Sequence, residues 1–298
     1  MSGRLSLMIM HHHSHDNIDW DTRLRQLRDE DGLTATQTRR IAETLVAGQD
    51  ACHSVIDVGS GAGGAAAAFA ATLPGGTVTL VDSAPELLAE AERHATEHAA
   101  SGVEVRGVRA DAADEELGAA VGSADLVFSS LVVHHLPDQL AGLRRLAELV
   151  RPGGRLVIVE SGLWAHVLPW DVGVGEPGLE ERLLAARHSW FRRMRAEMPG
   201  TVRLPVGWST ALRQAGLEDV ESWSYLVDWP APVTGSVRDI VLRRLEWLRE
   251  AAVEECSADD LAALDQLLDE RGPHYAGRRD DLYYLAAHSV FVGRKPAL

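Results

Sequence analysis

Apolar and polar residues follow two rhythms along this chain, one typical of strands and one typical of helices. Short runs rich in β-branched residues predict strands at 53–58, 78–81, 103–108, 124–129 and 155–160. Helical periodicity fills the intervals, from Gly63, from Pro85 to His98, from Asp114 to Val121, and from Pro137 to Val150. Strands that alternate with helices of this length predict a mostly parallel sheet with helices on both faces.

Helical patterns also flank this alternation. Residues 19–48 predict two helices, with Thr34 or Thr36 as a possible N-cap of the second. A helix is expected from Leu179 to Met198, and two more from Ser236 and Ser257, where Ser-x-x-Asp resembles a capping box. Runs at 220–227 and 282–293 would add a sixth and a seventh strand.

One loop in this pattern is unusually rich in glycine. The stretch VIDVGSGAGG from Val55 to Gly64 places a strand, a tight loop and a helix in succession. Glycine allows positive φ and close approach of a ligand, and the helix that follows points unpaired N–H groups at the loop. The spacing satisfies both the dinucleotide pattern G-x-G-x-x-G and the acidic-x-G-x-G-x-G pattern of S-adenosylmethionine (SAM) sites, so the loop alone leaves the ligand open.

Polar residues gather where the predicted strands end. Asp57 stands on the first strand just before its loop, Asp82 ends the second, Asp111 follows the third, and Ser129 with His134 and His135 follows the fourth. Ligands of parallel sheets bind beyond the carboxyl ends of the strands. A nucleoside would account for the set, because carboxylates can accept hydrogen bonds from ribose hydroxyls, from an adenine amino group and from a ligand ammonium.

Composition narrows the choice of partner. The chain has 298 residues, 46% of them hydrophobic, and a formal charge of −15. This acidity argues against binding to nucleic acid or to an anionic membrane, and favours a small-molecule partner. Cys52 and Cys256 fit no metal-binding spacing, and neither a signal peptide nor a membrane span is evident, so we expect a cytoplasmic protein with reduced thiols.

The N-terminal residues carry a histidine cluster. His11, His12, His13 and His15 stand close to Asp16, and imidazoles of this kind could bind a transition metal. Because nothing in the sequence sets a coordination geometry, we interpret residues 1–18 as a flexible, His-rich tail without a metal.

The ordered motifs VIDVGSGAGG, VTLVDSAPELL, VRADAAD, ADLVFSSLVVHHLPD and RPGGRLVIVE resemble those of the class I SAM-dependent methyltransferases. The resemblance covers roughly residues 52–160, and it implies an α/β, Rossmann-like sheet of seven strands with the last strand antiparallel, here with a helical cap. It also implies SAM as cofactor and methyl transfer (EC 2.1.1 type). The expected cofactor contacts are Asp57, Gly59, Ser60, Gly61, Gly63, Asp82, Ser83, Asp111, Ala112 and Ser129.

The acceptor is expected to be a small molecule, and three histidines are the candidates for a base: His135, His134 and His166. An insertion after the fifth strand would hang over the methyl group of SAM, so we predict that Trp164, Trp170 and Trp190 wall the acceptor pocket. A SAM-binding protein without methyl transfer and an NAD(P)-dependent oxidoreductase remain alternatives.

We predict one methyltransferase domain over residues 19–298. Its core would span 50–160, a lid insertion 161–205, and a helical insertion 229–281 would precede the last strand. The C-terminal helices could pack on the domain or form a homodimer.

Overall fold

The computed structural model describes residues 19–48 and 52–297. The predicted His-rich tail lies outside the described residues. The helices are α1 (Trp20–Ala47), α2 (Gly64–Thr72), α3 (Pro85–His98), α4 (Leu117–Val121), α5 (Gln139–Glu148), α6 (Leu179–Glu197), α7 (Trp208–Gln214), α8 (Gly235–Ala252) and α9 (Ala258–Leu268). The strands are β1 (Ser54–Val58), β2 (Gly76–Asp82), β3 (Val103–Arg109), β4 (Ala124–Ser130), β5 (Val150–His166), β6 (Glu218–Trp229) and β7 (Tyr284–Arg294).

The seven strands form one mixed sheet in the order β3-β2-β1-β4-β5-β7-β6. Neighbouring strands from β3 to β5 pair in parallel, and the sheet contains one antiparallel pair, which confirms the predicted fold class. In this register Asp57 lies opposite Leu80 of β2 and Phe128 of β4. The carboxyl ends of the first four strands therefore share one edge of the sheet.

Two compact units divide the chain. We call residues 19–162, 200–225 and 288–297 the core unit, and residues 163–199 and 226–287 the helical unit. The assignment of the second unit as a substrate lid stays a prediction.

Helices cover both faces of the sheet in the core unit. On one face α1, α2 and α3 pack on the strands, with the rings of Phe69 and Phe128 edge to face at 5.2 Å. On the other face α5 buries Leu143 and Leu146 against β4 and β5. Burial of these apolar side chains supplies most of the driving force for the fold.

The predicted pair of helices before the glycine loop is a single helix, so that prediction was wrong. Thr34 and Thr36 lie inside α1, whose N-cap is Asp19, accepting from the backbone N–H of Thr22 at 3.2 Å. Gly32 costs α1 roughly 1 kcal/mol of helix stability. Burial of Leu33, Ile41 and Leu45 on one side of the helix outweighs that cost.

The RPGG turn belongs to β5, which begins at Val150 and continues to His166, beyond the predicted end at Glu160. Gly153 has a φ of 81°, and a Cβ on Gly154 would stand 2.5 Å from the carbonyl oxygen of Asp125. The glycines therefore let an irregular first segment of β5 pass close to its neighbour.

In the helical unit, α6, α8 and α9 bury apolar residues that include Leu183, Leu245 and Leu264. The predicted cap at Ser257 is confirmed, because its hydroxyl accepts from the N–H of Asp260 at 3.1 Å. The predicted cap at Ser236 is wrong: α8 begins at Gly235, and its N-cap residue, Thr234, makes no side-chain cap. Of the helices in the described residues, none is long and apolar enough to cross a membrane.

Candidate functional site

The glycine loop leaves β1 after Val58 and is held against β2. The backbone N–H groups of Gly59 and Ser60 both donate to the carbonyl oxygen of Val81, at 2.8 and 3.0 Å. Gly59, Gly61 and Gly63 have φ values of 75°, 54° and 88°, a region that side chains disfavour. The loop therefore needs the glycines that the sequence supplies.

The three glycines differ in what surrounds them. A Cβ on Gly59 would lie 2.3 Å from Val132 in the loop after β4, and a Cβ on Gly63 would lie 2.7 Å from the Cα atom of Ala91 on α3. Around Gly61 no described atom lies within 4 Å of the Cβ position. The loop is thus packed tightly at both ends and open at Gly61, where a ligand can approach the backbone.

Asp82 ends β2 and holds this open part of the loop. Its two carboxylate oxygens accept from the N–H groups of Gly61 and Ala84, each at 3.0 Å. Burial raises the pKa of Asp82, with a smaller contribution from the charge of Asp111, while these hydrogen bonds oppose the rise. A carboxylate has about four acceptor sites, so Asp82 keeps capacity to accept from a ligand hydroxyl.

Asp57 is deeply buried, with 2% of its surface exposed. Its Oδ2 atom has no hydrogen-bond partner among the described residues. Burial raises the pKa of Asp57 to about 7, and the charges of Asp31 and Asp82 add to the rise. A buried carboxyl group that has one oxygen without a partner and lies near two other acids marks a place where a cation would be stabilised.

Asp31 is a fourth acid of the site, and the sequence analysis missed it. From α1 it accepts from the N–H of Gly64, the first residue of α2, at 3.0 Å. Burial raises its pKa to about 6. A Cβ on Gly64 would stand 2.5 Å from Asp31 Cγ. The glycine at position 64 was therefore a signal in the sequence that another group lies close to it, although the sequence does not reveal which residue that is.

The other predicted cofactor contacts follow β2 and β3 or lie near the end of β4, and they are partly engaged in hydrogen bonds within the protein. Asp111 accepts from the N–H of Ala113 at 2.8 Å. The hydroxyl of Ser129 is buried and donates to the carbonyl oxygen of Val58 at 2.9 Å. The carbonyl oxygens of Ser83 and Ala112 accept from the Nε atoms of Arg109 and Arg145, respectively.

The loop after β4 contains two of the predicted histidines, preceded by Leu131, a non-glycine residue with a φ of 58°. His134 Nδ1 lies 2.6 Å from Oε2 of Glu160, and its backbone N–H donates to Oε1 of Glu160 at 3.2 Å. The rings of His134 and His135 are 4.0 Å apart. Glu160, which is 2% exposed, thus fixes the orientation of His134 and is a second residue that the sequence analysis missed.

The remaining predicted residues belong to the helical unit. His166 Nδ1 lies 3.7 Å from Oε2 of Glu180. Trp164 stacks on Arg187, and Trp190 meets Trp247 edge to face at 6.1 Å. Trp170 is 67% exposed. Three of these four residues therefore contact different partners within the helical unit, and the fourth, Trp170, is largely exposed.

No group of three or more metal-ligating side chains occurs in the part of the chain that the structure describes. The N-terminal histidines considered as metal ligands lie outside that part.

Known methyltransferases resemble this chain in sequence and in fold. Residues 56–156 match the family model of a methyltransferase domain. The chain is 38% identical over 104 residues to a ubiquinone biosynthesis O-methyltransferase of Xanthomonas axonopodis pv. citri, a match that covers 35% of this chain and 41% of that protein. It is 24% identical over 273 residues to a trans-aconitate 2-methyltransferase of Methylobacterium nodulans, covering 88% of this chain and 93% of that protein.

A solved structure from Anaeromyxobacter dehalogenans, provisionally described as a type II methyltransferase, shares the fold with a TM-score of 0.51. It is 20% identical and covers 87% of this chain and 97% of that one. Residues 56–156 therefore form a methyltransferase domain, and the chain carries the motifs and the fold of the class I SAM-dependent methyltransferases.

Proposed function

We propose that this chain transfers a methyl group from SAM to a small-molecule acceptor. The observation that carries the proposal is the cluster of buried acids, Asp31, Asp57 and Asp82, around the open glycine loop. The cluster has an excess of negative charge where a ligand would bind. SAM carries a sulfonium and an ammonium, so its charge complements this cluster.

The same charge argues against a nicotinamide cofactor. NAD(P) would bring an anionic pyrophosphate to the glycine loop, and its charge would be repelled by carboxylates that are already destabilised by burial. A dinucleotide site normally presents N–H groups and few acids to the pyrophosphate.

The residues of the cluster suggest how SAM would be held. Asp57 would pair with the ligand ammonium, Asp82 would accept from the ribose hydroxyls, and Asp111 would accept from the adenine amino group. When bound, SAM supplies an activated methyl group on its sulfonium. The protein then has to align the acceptor with the S–CH₃ bond and exclude water.

His134 is the best candidate for a base when the acceptor must lose a proton. Glu160 holds Nδ1 at 2.6 Å, which leaves Nε2 as the atom able to take a proton. We assign Glu160 as the positioning residue of this pair. His166 lies farther from its acid, at 3.7 Å, and so is oriented less firmly.

Several properties support a small acceptor in the cytoplasm. The formal charge of −15 disfavours nucleic acid as the methylated partner. The relative that matches most of the chain is named for trans-aconitate, a small molecule. Cys52 and Cys256 are free thiols, as expected in a reducing compartment.

Calorimetric titration with SAM, NAD⁺ and NADP⁺ tests the cofactor. We expect micromolar binding of SAM only, and tighter binding of either nicotinamide would overturn the proposal.

Asp82→Ala should weaken SAM binding by about 1.5–3 kcal/mol, the range for hydrogen bonds to charged groups. Asp228→Ala, which removes an exposed acid, is the matched control and should leave the affinity unchanged.

Incubation with radiolabelled SAM and a metabolite extract tests the transfer itself and identifies the acceptor. Absence of any labelled product, with SAM binding intact, would favour a binding protein without methyl transfer.

For an acceptor that must lose a proton, His134→Ala should reduce kcat by roughly 10²–10⁴ with little change in SAM affinity. Glu160→Gln, which weakens the contact that orients His134 Nδ1, should also reduce kcat with little change in SAM affinity, and His98→Ala on the exposed face of α3 should change neither quantity.

A further inference from the structure

The helical unit buries a positive charge that its own residues leave without a counter-ion. Arg187 on α6 has 4% of its surface exposed. Among the residues that the structure describes, none forms a hydrogen bond with its Nε atom and no carboxylate forms an ion pair with Arg187. Buried arginines are normally paired with an acid or with several carbonyl oxygens, so Arg187 departs from the usual arrangement.

A second arginine adds to the same excess of charge. Arg244 on α8 donates from Nη2 to the carbonyl oxygen of Ala165 at 2.6 Å, while its Nε is buried without a partner among the described residues. Burial lowers the pKa of Arg187 to about 10, and the charge of Arg244 contributes to that lowering. Arg187 stacks on Trp164 and Arg244 donates to the next residue, Ala165, so the two side chains meet at the same segment of the chain.

The nearby acid does not neutralise this pair. Glu180 accepts from the N–H groups of Val167 and Leu168 at 2.9–3.0 Å, and its remaining contact is with His166. Burial raises the pKa of Glu180, and the positive charge of Arg244 only partly opposes that rise. The carboxylate is therefore occupied by the backbone at the start of the helical unit.

Aromatic rings surround Arg187 on several sides. Its Cζ atom lies 3.1 Å from the ring centroid of Trp164, 5.2 Å from that of Phe191 and 5.6 Å from that of Trp247. Cation–π contacts stabilise a guanidinium, but they leave its N–H groups without acceptors. The cluster therefore offers hydrogen-bond donors in an apolar surrounding, which is the composition of a ligand site.

We propose that Arg187 and Arg244 bind the carboxylate of an organic ligand whose apolar or aromatic part contacts Trp164, Phe191 and Trp247. A carboxylate has two coplanar oxygens that match the fork of a guanidinium, and it would give both Nε groups an acceptor.

Binding of small carboxylates tests the proposal without any methyl transfer. The probes are benzoate, phenylacetate and indole-3-acetate, each with its neutral amide, together with inorganic phosphate. We expect at least one carboxylate, and none of the amides, to raise the melting temperature and to bind in calorimetry. Arg187→Gln should weaken that binding about tenfold or more. Arg192→Gln, an equal loss of charge at an exposed position of α6, should not change it.

The stability of the ligand-free protein separates a ligand site from a structural arginine. Arg187→Met keeps the apolar stem and removes the unpaired buried charge, so it should raise the melting temperature by about 2–4 °C. If Arg187 serves only to hold Trp164, both Arg187→Met and Arg187→Gln will lower the melting temperature.

Three results would overturn the inference: no carboxylate distinguishes the wild type from Arg187→Gln, phosphate binds more tightly than every carboxylate, or both Arg187 variants are less stable than the wild type. SAM titrated into the same samples keeps the two proposals apart. Failure of carboxylate binding with SAM binding intact removes only this inference, whereas failure of SAM binding removes the proposed function.

Discussion

The core unit and the helical unit both bury unpaired charge, but of opposite sign. In the core unit Asp57 leaves a buried oxygen without a partner beside Asp31 and Asp82, and burial raises their pKa values. In the helical unit Arg187 and Arg244 leave buried nitrogens without partners, and burial lowers their pKa values. Uncompensated charge lowers stability, so each cluster indicates the charge of the ligand that would offset it.

The two clusters also differ in how they are built. The acids are arranged around a loop whose shape depends on glycines with positive φ, packed directly against backbone atoms. The arginines stand on two long helices and reach their positions through flexible side chains that lie on aromatic rings. The core site should therefore respond to backbone substitutions, and the arginine cluster mainly to side-chain chemistry.

The largest expected effect is that of a methyl group at Gly63. Gly63→Ala forces a Cβ to within 2.7 Å of Ala91 Cα and strains a φ of 88°, so we expect a loss of about 3 kcal/mol or more in the free energy of unfolding. Gly61→Ala is the matched control: it adds a methyl group in open space and should cost only about 1–2 kcal/mol of backbone strain. Chemical denaturation measures both.

These two variants should rank in the opposite order for SAM binding. Gly61→Ala fills the space where the ligand approaches, so titration should show the greater loss of affinity for Gly61→Ala. Equal effects of both variants on stability would show that close packing at Gly63 does not distinguish the two positions.

An intermediate effect is expected from the charge of Asp57. Its pKa rises from 3.8 to about 7 on folding, so the acid keeps its proton in the folded state over a range where the unfolded chain has lost it. Stability should therefore fall as pH rises from about 4 to 7 and level off above that. Between pH 5 and pH 8, the free energy of unfolding of Asp57→Asn should rise by about 1–3 kcal/mol relative to that of the wild type.

Denaturation of both proteins at pH 5 and pH 8 checks this prediction. The same difference in stability at the two pH values would mean that Asp57 does not titrate in this interval. Because a bound cation would favour the ionised acid, SAM affinity should also rise with pH in the wild type and lose that dependence in Asp57→Asn.

The smallest expected effect belongs to a local contact of the helical unit. Ser257→Ala removes the hydroxyl that caps α9 and should cost about 1 kcal/mol of stability. Ser236→Ala, which alters a serine of the same sequence pattern that makes no cap, should change stability by less than about 0.5 kcal/mol. Neither change should affect SAM binding, and a comparable loss for both would show that the two serines stabilise their helices equally.

Much of the core unit could be predicted because its signals are local. The alternation of β-branched runs and helical stretches predicts the first five strands and their helices, and only their ends differ from the structure. Predictions were weaker where local signals conflict. Gly32 and two threonines suggested a break in α1, but burial of the apolar side of the helix kept it continuous.

By itself, the sequence determined the succession of strands along the chain, the glycine loop and the acids at the carboxyl ends of β1, β2 and β3, because periodicity and turn residues act over a few neighbours. Only the tertiary structure decided which side chains complete the sites. Asp31 reaches Gly64 across 33 positions, and Glu160 reaches His134 across 26. Arg187 and Arg244 come from separate helices. Such pairings depend on burial and packing between distant segments, and no local pattern of residues encodes them.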